Sequence, residues 1–253
     1  MRVLNTPETW RFVEAIERAD DSNAVLAVLL EFAFRFGISS VFGGFVPPPE
    51  PVLPQSDIAE RTLLFKFPQA WAMRYAERRY LFRDPIVRGL RTVTGAFTWA
   101  QAYERYAAEP ASKRVRDEAA EFRLREGYVI PVTTLEGQLC GVSLGGERFE
   151  ANERERAALN FLVSFAVGHL IGLRRGCEPI ERKHDPDFDF HLTHREHDCI
   201  LWAGEGKTDW EIARIMGISR STVIKHILSA REKLGAINRS QLLVLAMRAR
   251  LLQ

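Results

Sequence analysis

Two sets of side chains in this 253-residue sequence have the chemistry and spacing of binding sites. The first is Trp71, Tyr75, Asp84 and Trp99. Trp71 and Tyr75 stand four residues apart and share one face of a helix. An indole N–H only donates a hydrogen bond and an ionised carboxylate only accepts one. Trp71 therefore suits a carbonyl, and Asp84 suits an amide N–H, with its charge strengthening that bond. Large aromatics around one carboxylate would line an amphipathic small-molecule cavity. The same residues would also serve a plain core, with Asp84 capping a turn before Pro85. The residue types alone leave both open.

The second set lies between Leu192 and Gly235. Thr193 and Glu196, then Thr208 and Glu211, each have the T-x-x-E spacing of a helix capping box. Gly204 and Gly206 are expected to stop the first helix, and Gly217 the second. Ser219 can then cap a third. On that helix Val223, Ile227, Ala230 and Leu234 fall within about 60° of one another at 100° per residue, forming one apolar stripe. Ser221, Lys225 and Glu232 point away from it, with Arg220, Thr222 and His226 on the flanks. A buried stripe opposite a polar, partly basic N-terminal half is what a major-groove recognition helix needs. Ile224 and Leu228 also fall toward the groove side, where they can either touch thymine methyls or simply weaken base reading. An ordinary three-helix packing unit has a similar pattern.

The elements that must position these residues read as follows. Glu8 to Asp20 and Asn23 to Phe36 are amphipathic helices, the second ended by Gly37. Ile38 to Val46 and Arg61 to Phe67 are strands, separated by a proline-rich loop that cannot join a ladder. Pro68 opens a helix through Tyr80, and Ala111 to Glu126 is another. Tyr128 to Thr134 and Gln138 to Gly145 form a hairpin turning at Glu136-Gly137. Ala151 to Arg174 is a long helix. This order gives an α+β N-terminal domain, an antiparallel sheet sandwiched by helices. An all-α, four-helix C-terminal domain follows. The charged, aperiodic stretch between them is the linker, so the expected division is 1–174, 175–191 and 192–253.

Net charge is +2, unevenly spread: residues 190–253 carry 10 Lys+Arg against 6 Asp+Glu, and the rest 25 against 27. A basic tail domain on a faintly acidic body fits a phosphate-binding module joined to a body that does not touch DNA.

The motifs also resemble a family. Leu192-Thr193-x-Arg195-Glu196, Gly204-Glu205-Gly206-Lys207-Thr208, Glu211-Ile212-Ala213, Ser221-Thr222-Val223 and Lys233-Leu234-Gly235 resemble the LuxR-type helix–turn–helix. Trp71-x-x-x-Tyr75, Asp84-Pro85, Trp99 and Gly127, spaced by 13, 15 and 28 residues, resemble the acyl-homoserine-lactone-binding domain that precedes it. The resemblance implies a quorum-sensing transcriptional regulator. Trp71 would donate to the lactone carbonyl, Asp84 would accept from the ligand amide, and Tyr75 and Trp99 would wall the pocket. Ser143 would lie near the acyl carbonyl, with Val41, Gly43, Phe45, Ile86 and Val87 along the acyl channel. Phe67 departs from the pattern. Many relatives carry a Tyr there whose hydroxyl bonds the acyl carbonyl, so Ser143 or another donor must supply that bond.

The implied partners are an acyl-homoserine lactone, a two-fold symmetric double-stranded DNA operator, RNA polymerase and a second copy of the chain. A helix from Asn238 through Leu252 often helps pair two such DNA-binding domains. The long helix, with Leu159, Leu162, Val163, Ala166, Leu170 and Leu173 at helical spacing, is the expected N-terminal dimer face. One alternative is a ligand-independent or inhibitory regulator with a vestigial pocket. Another is a metal enzyme built on His184, Asp185, Asp187, Asp189, His191, His194, His197 and Cys199. Their spacing is not a known ligand set, and no nucleophile–base signature supports catalysis. No cofactor, metal or enzymatic activity is expected. Met1 to Asp20 is charged throughout, and the longest apolar run, Phe161 to Leu173, is too short to span a bilayer. Cys140, Cys177 and Cys199 form no framework. The expected compartment is the cytoplasm, with no membrane partner.

Overall fold

The computed structural model describes residues 7–47, 55–93, 95–134, 138–174, 192–249 and 251–252. The first elements are helices α1 (Pro7–Glu17) and α2 (Ser22–Phe34). Asp21 caps α2, its carboxylate accepting from the Ala24 N–H at 2.7 Å. Gly37 then turns the chain with φ +86°, where an added Cβ would strike Arg148. Strand β1 (Ile38–Phe45) follows, then α3 (Gln55–Arg61), β2 (Thr62–Lys66) and α4 (Gln69–Glu77). A 3₁₀ turn (Tyr80–Phe82) leads to α5 (Pro85–Thr92), β3 (Phe97–Thr98), α6 (Trp99–Arg105) and α7 (Pro110–Ala120). The hairpin β4 (Glu126–Thr133) and β5 (Leu139–Gly146) precedes the long helix α8 (Glu153–Arg174). The Glu136-Gly137 turn lies outside the described residues, but the flanking register is antiparallel, Thr133 opposite Leu139.

The five strands form one antiparallel sheet in the order β2-β1-β5-β4-β3. Helices cover both faces, as the element order implied. One face buries Ile16, Leu29, Phe32, Leu159, Leu162 and Phe165 from α1, α2 and α8. The other packs under Trp71, Ile86, Leu90, Trp99 and Val115 from α4 to α7. Several elements differ from expectation. α4 stops at Glu77 rather than Tyr80 because Arg79 is left-handed, φ 52°. α3, β3 and α6 were not read from the sequence. α6 nonetheless carries its own capping box, Thr98 with Gln101.

α8 is the described helix long and apolar enough by composition to cross a membrane. Its apolar positions are instead packed inside the chain. Leu159, Leu162, Val163, Ala166 and Leu170 are all buried there and Leu173 is partly buried. The expected dimer stripe is therefore intramolecular core. Helical spacing marks a face as apolar without saying what covers it.

The C-terminal region comprises α9 (His194–Gly204), α10 (Asp209–Met216), α11 (Arg220–Leu234) and α12 (Arg239–Arg248). Both expected capping boxes form, Thr193 with Glu196 and Thr208 with Glu211. Gly217 and Gly235 close α10 and α11 in the left-handed conformation, φ 64° and 68°. Val223, Ile227, Ala230 and Leu234 enter a core with Ile200, Ile212 and Leu242. Burial works against the charge of Glu196, but Lys233 at 2.7 Å, Ser229 and Thr193 hold its carboxyl down to about 2. That ion pair ties α9 to α11.

α12 also packs against α8. Asn238 caps α12 through Gln241 and donates from Nδ2 to the Ser164 carbonyl at 2.6 Å. The approach needs Gly168, where an added Cβ would lie 2.6 Å from Asn238 Nδ2. The expected linker, 175–191, lies outside the described residues.

A second pair of glycines shapes the sheet's cavity face. Gly127 and Gly145 stand opposite one another on β4 and β5, and the Trp99 indole lies across both. A Cβ on Gly127 would stand 2.3 Å from the indole and 2.4 Å from the Leu144 carbonyl oxygen. Gly127→Ala is expected to destabilise the fold by about 1–3 kcal/mol through overpacking. Gly95→Ala, with nothing within 4 Å of the added carbon, is the control. Urea denaturation of both variants checks this, and equal midpoints would contradict it.

Candidate ligand cavity and DNA-reading helix

Asp84 anchors the cavity. Its Oδ1 accepts from the Ile86 N–H at 2.8 Å and so caps α5, with Pro85 in the first turn. Its Oδ2 accepts from the Tyr75 hydroxyl, also at 2.8 Å. The capping reading and the pocket reading are thus both satisfied by one carboxylate. Asp84 is only 5% exposed. Burial pushes its carboxyl up to about 6, against the opposing pull of the Ile86 N–H and the Tyr75 hydroxyl. Burial, then the Asp84 charge, raises the Tyr75 phenol well above its usual range, so it stays a donor.

Around this pair lies a cavity of about 560 Å³, within the range of small-molecule sites. Trp71, on α4, packs edge-on to Tyr75 with centroids 5.5 Å apart. Its indole N–H makes no hydrogen bond to a described residue and lies in the cavity wall. Trp99 Nε1 donates to Ser143 Oγ at 2.9 Å. That bond takes a lone pair of the Ser143 oxygen and leaves the hydroxyl proton free to donate elsewhere. At the other end Phe42, Phe65 and Phe67 meet in a cluster with centroids 6.2–6.4 Å apart. Phe67 supplies no polar atom.

Of the residues singled out in the sequence, Trp71, Tyr75, Asp84, Trp99, Ser143, Phe45, Phe67, Ile86 and Val87 all line this cavity. Val41 and Gly43 do not. Val41 is fully buried in the core on the opposite face, and a Cβ on Gly43 would meet Val142 and Leu64 of that same core. Phe42 and Gly44 face the cavity instead. β1 is apolar on both faces, so alternation gives no sign of which face is which. A register shift between Gly43 and Gly44 then brings Phe45 to the cavity as well. Sequence reading also missed Leu90 and Tyr103. Tyr103 stands four residues after Trp99, the same helical spacing that links Trp71 to Tyr75.

In the C-terminal region Arg220, Ser221 and Lys225 are exposed on α11, with Thr222 and His226 half-buried. The Ser219 hydroxyl bonds Ser221 Oγ at 2.8 Å and Thr222 Oγ1 at 2.7 Å. Those two hydroxyls are therefore oriented by the cap. Ile224 is exposed and Leu228 half-buried. Of the residues weighed for a metal, 184–191 lie outside the described residues. His197 is engaged with the Leu251 carbonyl at 3.2 Å, and Cys199 is buried.

A sheet-and-helix unit holding a ligand-sized cavity, joined to a helix–turn–helix with an open polar helix, defines a ligand-responsive DNA-binding transcription regulator. The chain matches the family described as Autoinducer binding domain over residues 21–170. It matches bacterial regulatory proteins of the luxR family over 191–246. It is 34% identical over 224 residues to the transcriptional activator protein BjaR1 of Bradyrhizobium diazoefficiens, covering 88% of this chain and 87% of that protein. It is 31% identical to RpaR of Rhodopseudomonas palustris, an HTH-type quorum sensing-dependent transcriptional regulator, covering 90% and 88%. The crystal structure of CepR2 from Burkholderia cenocepacia matches with a TM-score of 0.51 at 19% identity, covering 67% of this chain and 99% of that one. The chain belongs to the LuxR family of bacterial transcription regulators, with an autoinducer-binding domain ahead of its helix–turn–helix.

The buried carboxylate has a consequence for stability. Its folded-state value of about 6 lies above the 3.8 of a free Asp, so the folded protein takes up a proton between the two. Stability from this group therefore rises as pH falls from 7 through 6 toward 4. The gain of wild type over Asp84→Asn across that window is expected to reach about 2 kcal/mol. Urea denaturation of both proteins at pH 7, 6, 5 and 4 checks this. Parallel pH profiles would contradict it.

Proposed function

We propose that this chain is a cytoplasmic, homodimeric quorum-sensing regulator whose effector is an acyl-homoserine lactone. The observation that carries the reading is the Asp84–Tyr75 pair, a buried acceptor facing a mostly apolar cavity with the Trp71 indole N–H in its wall. An amide N–H flanked by carbonyls on an apolar chain complements such a site. Asp84 takes the amide N–H, Trp71 donates to the lactone carbonyl, and the Ser143 hydroxyl, its oxygen engaged by Trp99, donates to the acyl carbonyl that Phe67 cannot reach. Ile86, Val87, Phe45 and Phe67 hold the acyl group. CepR2, with the same fold, is described as N-acylhomoserine-lactone dependent.

The DNA contacts of this reading are Arg220, Ser221, Thr222, Lys225 and His226. Lys225 meets phosphate, and the hydroxyls gathered at Ser219 face the groove edge. One recognition helix reads only a few base pairs, which motivates two copies on a two-fold operator. RNA polymerase is the partner through which such a regulator acts. The division into 1–174, a 175–191 linker and 192–253 belongs to the same proposal. The protein holds no metal or cofactor in this reading and catalyses no reaction.

A thermal-shift panel of acyl-homoserine lactones with short, long, branched and aryl acyl groups tests it. A ligand at 100 times its Kd adds about 2.7 kcal/mol of stability, which raises the melting temperature by several degrees. A panel in which no lactone moves the melting curve would overturn the reading.

A further inference from the structure

We propose that Tyr103 is a further ligand-positioning residue, its hydroxyl donating a hydrogen bond to a lactone oxygen at the Asp84 end of the cavity. The inference rests on the acyl-homoserine-lactone reading and adds a contact that the sequence motif did not contain.

Three tyrosines stand at this end of the cavity, and their hydroxyls are in different situations. Tyr75 is committed to Asp84. The Tyr80 oxygen is buried, with Glu118 as its polar neighbour, and Tyr80 does not line the cavity. Tyr103 lines the cavity and is 7% exposed. Its hydroxyl makes no hydrogen bond to a described residue, and unlike that of Tyr80 it is not sealed.

Its position is fixed by the same framework that fixes the rest of the site. Trp99 and Tyr103 lie on one face of α6, four residues apart. Trp99 is held across the Gly127–Gly145 pair and bonded to Ser143. Tyr103 packs in one cluster with Trp71, Ile86 and Leu90. A ring fixed on both sides presents its hydroxyl in one place, the kind of preorganised group that gives a ligand orientation at little entropic cost.

The electrostatics make this group a donor. Burial, then the nearby Asp84 charge, raises the Tyr103 phenol well above its usual range. Tyr103 is bonded to neither Asp84 oxygen, which accept from Ile86 and from Tyr75, so its hydroxyl is left to an acceptor the ligand brings. An acyl-homoserine lactone brings two oxygens on its ring and one amide N–H. Trp71 and Tyr103 supply two donors and Asp84 the acceptor, so head-group and wall match in number and kind.

The test compares wild type with Tyr103→Phe by titration calorimetry. Two probes are used: the acyl-homoserine lactone that most stabilises the wild-type chain in the panel above, and the N-acyl-cyclopentylamine carrying the same acyl group. The second keeps the amide and the ring but lacks both lactone oxygens. Losing one neutral hydrogen bond is expected to weaken lactone binding about three- to tenfold. The cyclopentylamine is expected to bind both proteins equally. This interaction term isolates the hydroxyl–lactone contact from any general effect on packing. Equal losses for both probes, or no loss for either, would overturn the assignment of Tyr103 while leaving the lactone reading intact. Failure of wild type itself to bind any lactone would overturn the reading beneath it.

Discussion

One carboxylate does two structural jobs in this protein. Asp84 starts α5 by accepting the Ile86 N–H, and it joins α5 to α4 by accepting the Tyr75 hydroxyl. Its burial is unfavourable for charge, which is why its proton is held up to about 6. A buried acceptor of this kind is tolerated only where hydrogen bonds compensate it. Two come from the fold. On the proposed reading the third comes from the ligand amide, so binding completes a site that folding leaves partly satisfied.

The opposite wall depends on the absence of side chains. Gly127 and Gly145 leave a flat bed on the sheet for the Trp99 indole. The indole settles there, and its N–H reaches Ser143 across the sheet. α6 is thereby pinned at its first residue, and Tyr103, one turn on, is carried to the cavity. A missing Cβ on two strands thus sets the position of two polar groups, the Trp99 N–H and the Tyr103 hydroxyl. On the far face of the sheet, α8 receives α12 through Gly168 and the Asn238–Ser164 bond. The ligand unit and the helix–turn–helix therefore share a packed seam in this structure.

The sequence was most legible where local chemistry is strong. The capping boxes at Thr193 and Thr208 and the left-handed glycine at 217 marked the starts of α9 and α10 and the end of α10 closely, because those signals act within a single turn. The motif residues Trp71, Tyr75, Asp84, Trp99 and Ser143 converge on one cavity. The acyl-channel reading of Val41 and Gly43 failed because β1, buried on both faces, carries no alternation to say which face meets the cavity, whereas Phe45, beyond the bulge at Gly43 and Gly44, does line it. The end of α4 was illegible, since Arg79 adopts a left-handed conformation that no Gly or Asn announces. α6 was legible but unread: Thr98 and Gln101 form a box, and Tyr103 repeats the i, i+4 spacing from Trp99. The role of the α8 stripe could not be read locally, because core and interface demand the same pattern.

The central claim is that the Asp84 carboxylate, beyond capping α5, holds the amide of an acyl-homoserine lactone. Asp84→Asn separates the two roles, because an Asn side-chain oxygen caps a helix nearly as well as Asp but removes the charged acceptor. Lactone affinity of wild type and Asp84→Asn, measured by titration calorimetry at pH 7.5 beside the melting of the ligand-free proteins, decides between them. The account predicts ligand-free melting that keeps a single folded transition and a loss of about 10- to 150-fold in affinity, the range for one charge-assisted bond. Unchanged affinity in a folded Asp84→Asn protein would contradict it.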